Sequence, residues 1–341
     1  MNRTQKKHLF LLGGIVAALV IILAVVLAVK RSNAQQAAEE AARQEAESVI
    51  TQTEASYTAL TYDNGTTTLS FHLDEEGKWV WSDDPEFPLD DTTVQSILDL
   101  LADLRPQQTI TDGDTLDAYG LDQPSATLTA TDAETGETLK LTFGKATTDG
   151  TSYYMLMDGQ ESPVYIISDA LYRYMSETIY DMCDLPELPV LTEDTIQSIT
   201  VEGTVSTLLR PLGTGTDEDT GTETVTWAAG GEDVTELEST GDLLSDLEGI
   251  SLTKCVDYKP TNEAAELCGF SAPRAVVTVL YLTETGTESS LTLTFGSDNL
   301  DGTGCYVRVN DDPTIYQVDS GDADAVLSVA ASGLTDASAS E

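Results

Sequence analysis

Histidine is almost missing from this chain, with only His8 and His72 in 341 residues. His72 alternates with Phe71 and Leu73, a strand pattern that turns it to solvent. A histidine-based nucleophile relay would rest on His72 alone, and a zinc site with two His ligands cannot be assembled beyond residue 8. Basic residues are scarce as well. Over residues 32–341, 59 acidic side chains against 11 basic ones leave a formal charge of −48. Such a surface repels nucleic-acid phosphates and anionic headgroups, which excludes DNA and RNA binding. A phosphate-binding loop is lacking too, because Leu139 and Ala146 occupy the places around Gly144-Lys145 where glycine and Ser or Thr are needed. No segment has the Asp-x-Asp-x-Asp-Gly spacing of a calcium loop.

What the chain does carry is an unbroken run of 21 apolar or small residues from Leu9 to Val29. At 1.5 Å per residue it reaches about 30 Å, the thickness of a hydrocarbon core. Lys30 and Arg31 follow where a cleaved signal would favour small residues, so the run reads as a retained anchor. Charges flanking it are nearly balanced, and the short tail before a long domain decides the orientation: residues 1–8 cytoplasmic, the remainder extracytoplasmic in the cell envelope. The acidity then has a plain physical role, keeping an exported domain soluble and clear of the membrane. Residues 30–55 read as a helical stalk, since Ala34 to Ser48 is rich in helix formers with no large apolar face.

One pattern occurs twice. Tyr119-Gly120-Leu121-Asp122-Gln123-Pro124 recurs as Cys268-Gly269-Phe270-Ser271-Ala272-Pro273, and Leu139 to Gly144 as Leu291 to Gly296. Asp149-Gly150 then recurs as Asp301-Gly302, and Val164-Tyr165 as Ile315-Tyr316. The ordered blocks, with only loop-sized drift between them, indicate a duplicated domain. This predicts residues 56–184 and 190–330 as two repeat domains, divided at the proline-containing Leu185 to Pro189, with a disordered tail at 331–341. Each copy is predicted to begin with a hairpin, continue with an amphipathic helix (Val94, Ile97, Leu98, Leu101 and Leu104 in the first; Val234, Leu237, Leu244 and Leu247 in the second), and end in four strands. Asp169 to Tyr180 is predicted as a closing helix, and Gly213 to Glu223 as a mobile loop. The fold class is α+β: two tandem antiparallel sheets with packed helices, preceded by one transmembrane helix.

The polar and reactive groups have structural readings that outweigh chemical ones. Asp83-Asp84, Asp90-Asp91, Asp112 with Asp114, and Asp311-Asp312 can each suit a glycosidase or a cation, but all lie in predicted turns where Asp serves the backbone. Cys183, Cys255, Cys268 and Cys305 lie on the exported side; a bridge between Cys255 and Cys268 would close a loop of about 14 residues, and the competing reading is that Cys268 and Cys305 are buried apolar groups in the repeat places of Tyr119 and Tyr153. Trp79, Trp81, Tyr153, Tyr154, Tyr172, Tyr174 and Tyr180 suggest a sugar platform, against which core packing is the stronger reading. No catalytic, cofactor-binding or metal-ligating residue is assigned, and no cofactor is expected.

The Tyr119-Gly120-Leu121-x-x-Pro124 corner, the strand ending at Gly144, the Tyr153-Tyr154 pair and Val164-Tyr165 together resemble the bacterial family called domain of unknown function 4340. The resemblance covers most of residues 57–330 and is closer in the first copy, since Cys268 and Phe270 replace Tyr and Leu in the second. It implies a membrane-anchored extracytoplasmic component, often encoded beside an ABC transport system similar to the gliding-motility type, and supplies no catalytic residues. The expected function is accordingly non-enzymatic: a binding or scaffold protein auxiliary to a membrane transport complex, with ABC transporter subunits as partners. The alternatives are a module binding cell-wall glycan or cations and, last, an envelope hydrolase using a carboxylate pair.

Overall fold

The computed structural model describes residues 30–31, 50–52, 56–132, 135–216 and 223–336. The expected cytoplasmic tail, the expected span at Leu9–Val29 and nearly all of the expected stalk lie outside the described residues. Among the described residues no helix is long and apolar enough to cross a membrane.

In chain order the elements are β1 (Thr51–Gln52), β2 (Tyr57–Asp63), β3 (Thr68–Leu73), β4 (Trp79–Trp81), α1 (Thr92–Ala102), β5 (Asp103–Leu104), β6 (Gln108–Ile110), β7 (Ala126–Asp132), β8 (Thr138–Ala146), β9 (Ser152–Met157), β10 (Val164–Ser168) and α2 (Ala170–Met175). There follow β11 (Ile196–Glu202), β12 (Ser206–Thr216), β13 (Glu223–Ala229), β14 (Glu232–Asp233), α3 (Glu238–Gly249), β15 (Lys254–Asp257), α4 (Asn262–Leu267), β16 (Ala275–Leu282), β17 (Glu288–Asp298), β18 (Gly304–Val309), β19 (Ile315–Asp319) and α5 (Ser320–Ser332). Among the described residues the fold is mostly β, with two large antiparallel sheets, one two-stranded pair and few helices. The described residues form two compact units, one comprising those up to Thr68 with Val94–Met175, the other comprising Leu69–Thr93 with those from Ser176 onward.

In the first unit the strands run in the order β2-β7-β8-β9-β10-β6. Alternation builds the sheet: Ala126, Leu128 and Ala130 of β7 are buried while the threonines between them are half-buried. Leu141 and Phe143 continue the buried face on β8, and Val94, Ile97 and Leu101 are the buried stripe of α1. Each such side chain contributes about 2 kcal/mol by leaving water. Asp90 opens the helix by accepting the Thr92 backbone N–H at 3.0 Å.

The second unit repeats this order with its own residues, as β11-β16-β17-β18-β19-β15, and extends it with β12, β13 and β14 on the other edge. Ala275, Val277 and Val279 alternate inward along β16, and α5 packs on β11, β16, β18 and β19 and against α3. Even the registers agree: Ala126 faces Phe143 and Ala275 faces Phe295, each followed by a bulge in the next pairing.

The glycine corners explain why the same residues recur. Gly120 has φ +69° and Gly269 φ +88°, values that glycine adopts without a steric penalty. Their N–H groups donate to Asp117 and Glu266 carbonyls, closing a turn in each copy. A Cβ on Gly144 would lie 2.2 Å from the Tyr119 carbonyl oxygen, and one on Gly296 would lie 2.1 Å from that of Cys268. The strand therefore presses directly on the corner's backbone, and the contact leaves no space for a side chain.

Several predicted details change. Thr51–Gln52, inside the expected helical stalk, is a strand paired with Asp103–Leu104. The predicted helix at Asp169 to Tyr180 is two pieces, α2 and a 3-10 turn at Ile179–Met182, because Thr178 is extended and shares a capping box with Asp181. Val234 and Leu237 precede α3, whose buried face is Thr240, Leu243, Leu244 and Leu247. Gly213–Thr216 is not loop but ladder, paired with Glu223–Thr226 beyond a bulge at Pro211/Gly213. Of the expected disordered tail, residues 331–336 are held in place: Ala331 and Ser332 finish α5, and Thr335 exchanges hydrogen bonds with Ser239 at 2.8 and 2.9 Å; residues 337–341 lie outside the described residues.

Candidate functional site

A concavity of the second unit has a cavity volume of about 510 Å³. Its lining comes from segments remote in sequence: Glu86 and Pro88, the run Asp184 to Glu187, Tyr258, and Asp312 with Tyr316. Hydrogen bonds explain how these meet. Tyr258 donates its hydroxyl to the Glu86 carbonyl at 2.8 Å, and the Asp184 N–H donates to Pro88 at 2.7 Å. Thr314 donates to the Tyr258 carbonyl at 3.0 Å, fixing the 312–316 turn beside it. Beneath the rim, the buried Phe87 ring packs edge-on against Trp81 and Tyr258, at centroid separations of 5.6 and 5.3 Å, with Tyr180 at 6.3 Å.

Electrostatically the cleft is acidic. Glu86, Asp184, Glu187 and Asp312 stand around it, while Lys259 next to Tyr258 is already paired with Asp84 at 2.7 Å and with Glu86 at 3.2 Å. The hydrogen bond from Lys259 lowers the Asp84 carboxyl below its ordinary value. Tyr316 is buried and donates to Asp312 at 3.1 Å; burial, reinforced by the Asp312 charge, pushes its phenol well above the usual range. The arrangement is able to accept positive charge and hydrogen-bond donors at its rim and offers tyrosine rings as apolar walls.

Of the paired carboxylates singled out from sequence, only Asp312 lines this cleft. Asp84 accepts the Glu86 N–H, Asp90 that of Thr92, Asp114 that of Thr115 and Asp312 that of Thr314, all local turn bonds. His72 lies on β3 with its Nδ1 2.9 Å from the Ser82 hydroxyl. The tyrosines do not form an open platform: Tyr153 stacks on Tyr172 at 4.0 Å, Tyr154 packs on Tyr119 at 4.8 Å, and Trp79 is buried.

All four cysteines are free thiols, so the Cys255–Cys268 bridge is not made. Cys305 is buried 3.0 Å from the Arg274 guanidinium, and burial raises its thiol in spite of that cation. Cys255 meets Cys183 instead, a pairing across 72 positions that no local spacing signals. The rest of the cleft escaped sequence reading for the same reason: Glu86, the 184–187 run and Tyr258 are ordinary loop residues until the fold gathers them.

No curated protein and no solved structure matches this chain. A family model described as Domain of unknown function (DUF4340) does match, over residues 79–240 and 236–332, and since these spans take in most of the chain, the protein belongs to that family.

Proposed function

We propose that this protein is a non-enzymatic, single-pass, membrane-anchored extracytoplasmic binding or scaffold protein, auxiliary to a membrane transport complex. The apolar run at Leu9–Val29 is its anchor, with the N-terminus cytoplasmic and the bulk of the chain extracytoplasmic. Two tandem related domains, products of a duplication, follow; the common strand order and the matching glycine corners support that origin.

The observation that carries the reading is the use to which the chain puts its polar groups. Asp84, Asp90, Asp114 and Asp312, members of the four pairs with the composition a hydrolase needs, all accept backbone N–H bonds in turns. The acidic cleft of the second unit then serves as the docking place for a cationic segment of the partner.

Gentle detergent extraction of the full-length protein followed by affinity isolation tests this. Enrichment of transporter subunits, lost on Asp184→Lys/Glu187→Lys reversal, is the expected result. Recovery of the free protein alone counts against the reading. A thermal shift with calcium or wall glycan and none with protein partners would favour the ligand-binding alternative instead.

A further inference from the structure

Cys183 and Cys255 are the two thiols whose positions no role assigned so far requires. Cys183 follows the 3-10 turn Ile179–Met182 and immediately precedes the cleft-lining run that begins at Asp184; Cys255 is on β15, paired to Tyr316 of β19. Both are buried, at 8 % and 0 % exposure. Their elements are held together on either side of the sulfurs: Tyr180 donates to Asp257 at 3.3 Å, and Lys254 pairs with Asp181 at 3.3 Å. On the other flank Cys183 forms a bridge pair with Leu89, and the Asp90 N–H donates to Met182 at 2.9 Å. The two thiols lie near enough to perturb each other's ionisation.

We propose that Cys183 and Cys255 form a reversible disulfide that fastens the cleft-lining segment to the edge strand of the second sheet. The extracytoplasmic reading supplies an oxidising compartment; the bond chemistry itself rests on the two buried cysteines and the flanking bonds that hold their elements together. An external disulfide is the oxidant. Cys183 loses its proton and its thiolate attacks one sulfur of the reagent, forming a mixed disulfide and expelling one reagent thiolate. Cys255 then loses its proton and attacks the Cys183 sulfur, closing the intramolecular bond and expelling the second reagent thiolate. Two protons and two electrons leave the protein, and the reagent becomes two thiols.

The order of attack follows from exposure. Cys183 is the less buried residue of the two and lies next to the open cleft, so it is the one an external reagent meets first. Cys268 and Cys305 have no comparable thiol partner among the interactions described: Cys305 faces Arg274, and burial raises Cys268.

The test is to equilibrate the full-length protein with oxidised glutathione, alkylate it under denaturing conditions and map the peptides by mass spectrometry. The expected result is a fall from four alkylatable thiols to two, a linked peptide joining Cys183 to Cys255, and full reversal by dithiothreitol. Cys268→Ser should leave the linked peptide and its reversal unchanged, with three alkylatable thiols falling to one, while Cys255→Ser should trap glutathione on Cys183. The linked peptide is read on the unaltered protein, so misfolding of a variant does not obscure the outcome. Four free thiols after oxidation, a Cys255–Cys268 peptide, or glutathione persisting on Cys183 beside a free Cys255 would each overturn the proposal. None of these outcomes depends on a transporter partner, so failure of the functional reading remains separately visible.

Discussion

Adding one methyl group at Gly296 tests the backbone corner on which the second unit closes. The new Cβ would stand 2.1 Å from the Cys268 carbonyl oxygen, whereas real Cβ contacts essentially never fall below 3.0 Å, so the backbone must retreat by about 0.9 Å. That oxygen accepts the Ser297 N–H at 2.9 Å, and the retreat stretches this bond. A weakened hydrogen bond at about 1 kcal/mol and overpacking at about 2 kcal/mol put the cost of Gly296→Ala near 3 kcal/mol. For a unit of this size that lowers Tm by about 6 to 12 °C. Gly241→Ala is the control: it lies within α3 with nothing inside 4 Å of the added Cβ, and the substitution should be neutral or stabilising by up to about 1 kcal/mol. Calorimetry of both variants decides the matter. If Gly296→Ala melts together with Gly241→Ala, the carbonyl contact is soft and the reasoning from close approach is wrong.

Two further substitutions probe charge and burial. Burial raises the Asp246 carboxyl, Asp322, Asp242 and Asp324 add to the rise, and the Ala325 N–H opposes it. The unfolded chain therefore releases this proton first, and stability is lost as pH rises through the unfolded value of about 4. Asp246→Asn keeps an acceptor for Ala325 and should raise Tm at pH 7, with the gain vanishing in acid; a lower Tm at pH 7 would contradict this. Tyr316 has a raised phenol, so unfolded chains ionise first above about pH 10 and stability falls from there upward. Tyr316→Phe should flatten that alkaline decline in denaturant titrations, and an unchanged slope would remove Tyr316 as its source.

The glycine corners were legible in the sequence because a left-handed φ and a missing Cβ both demand glycine, so Gly120, Gly144, Gly269 and Gly296 stand out twice over. The late strands were legible through their alternation, as at Ala126 to Ala130 and Ala275 to Val279. Short pairings such as β1 with β5 left no trace, since two residues carry no period. The break at Thr178 had a signature, Thr178 with Asp181 three residues on, that the apolar spacing of Asp169 to Tyr180 masked. Gly213 to Thr216 has loop composition yet is held in the ladder by cross-strand bonds, including that from Thr226 to the Gly213 carbonyl at 3.0 Å. The cleft had no local signature at all apart from Asp312, which the fold brings together with three other stretches of the chain.

The bond from Tyr258 to Glu86 joins residues 172 positions apart, and the pair Lys259 with Asp84 joins residues 175 apart. Such distant closures impose a timetable on synthesis. Residues 69–93 leave the ribosome early, yet the unit to which they belong lacks its last strand until the chain has been made past residue 319. During that interval Phe87 is an exposed aromatic waiting for Tyr180 and Tyr258. The nascent chain therefore passes through a stage in which its cleft-forming segment is exposed without its partners, and that stage is where slow folding and chaperone dependence should concentrate.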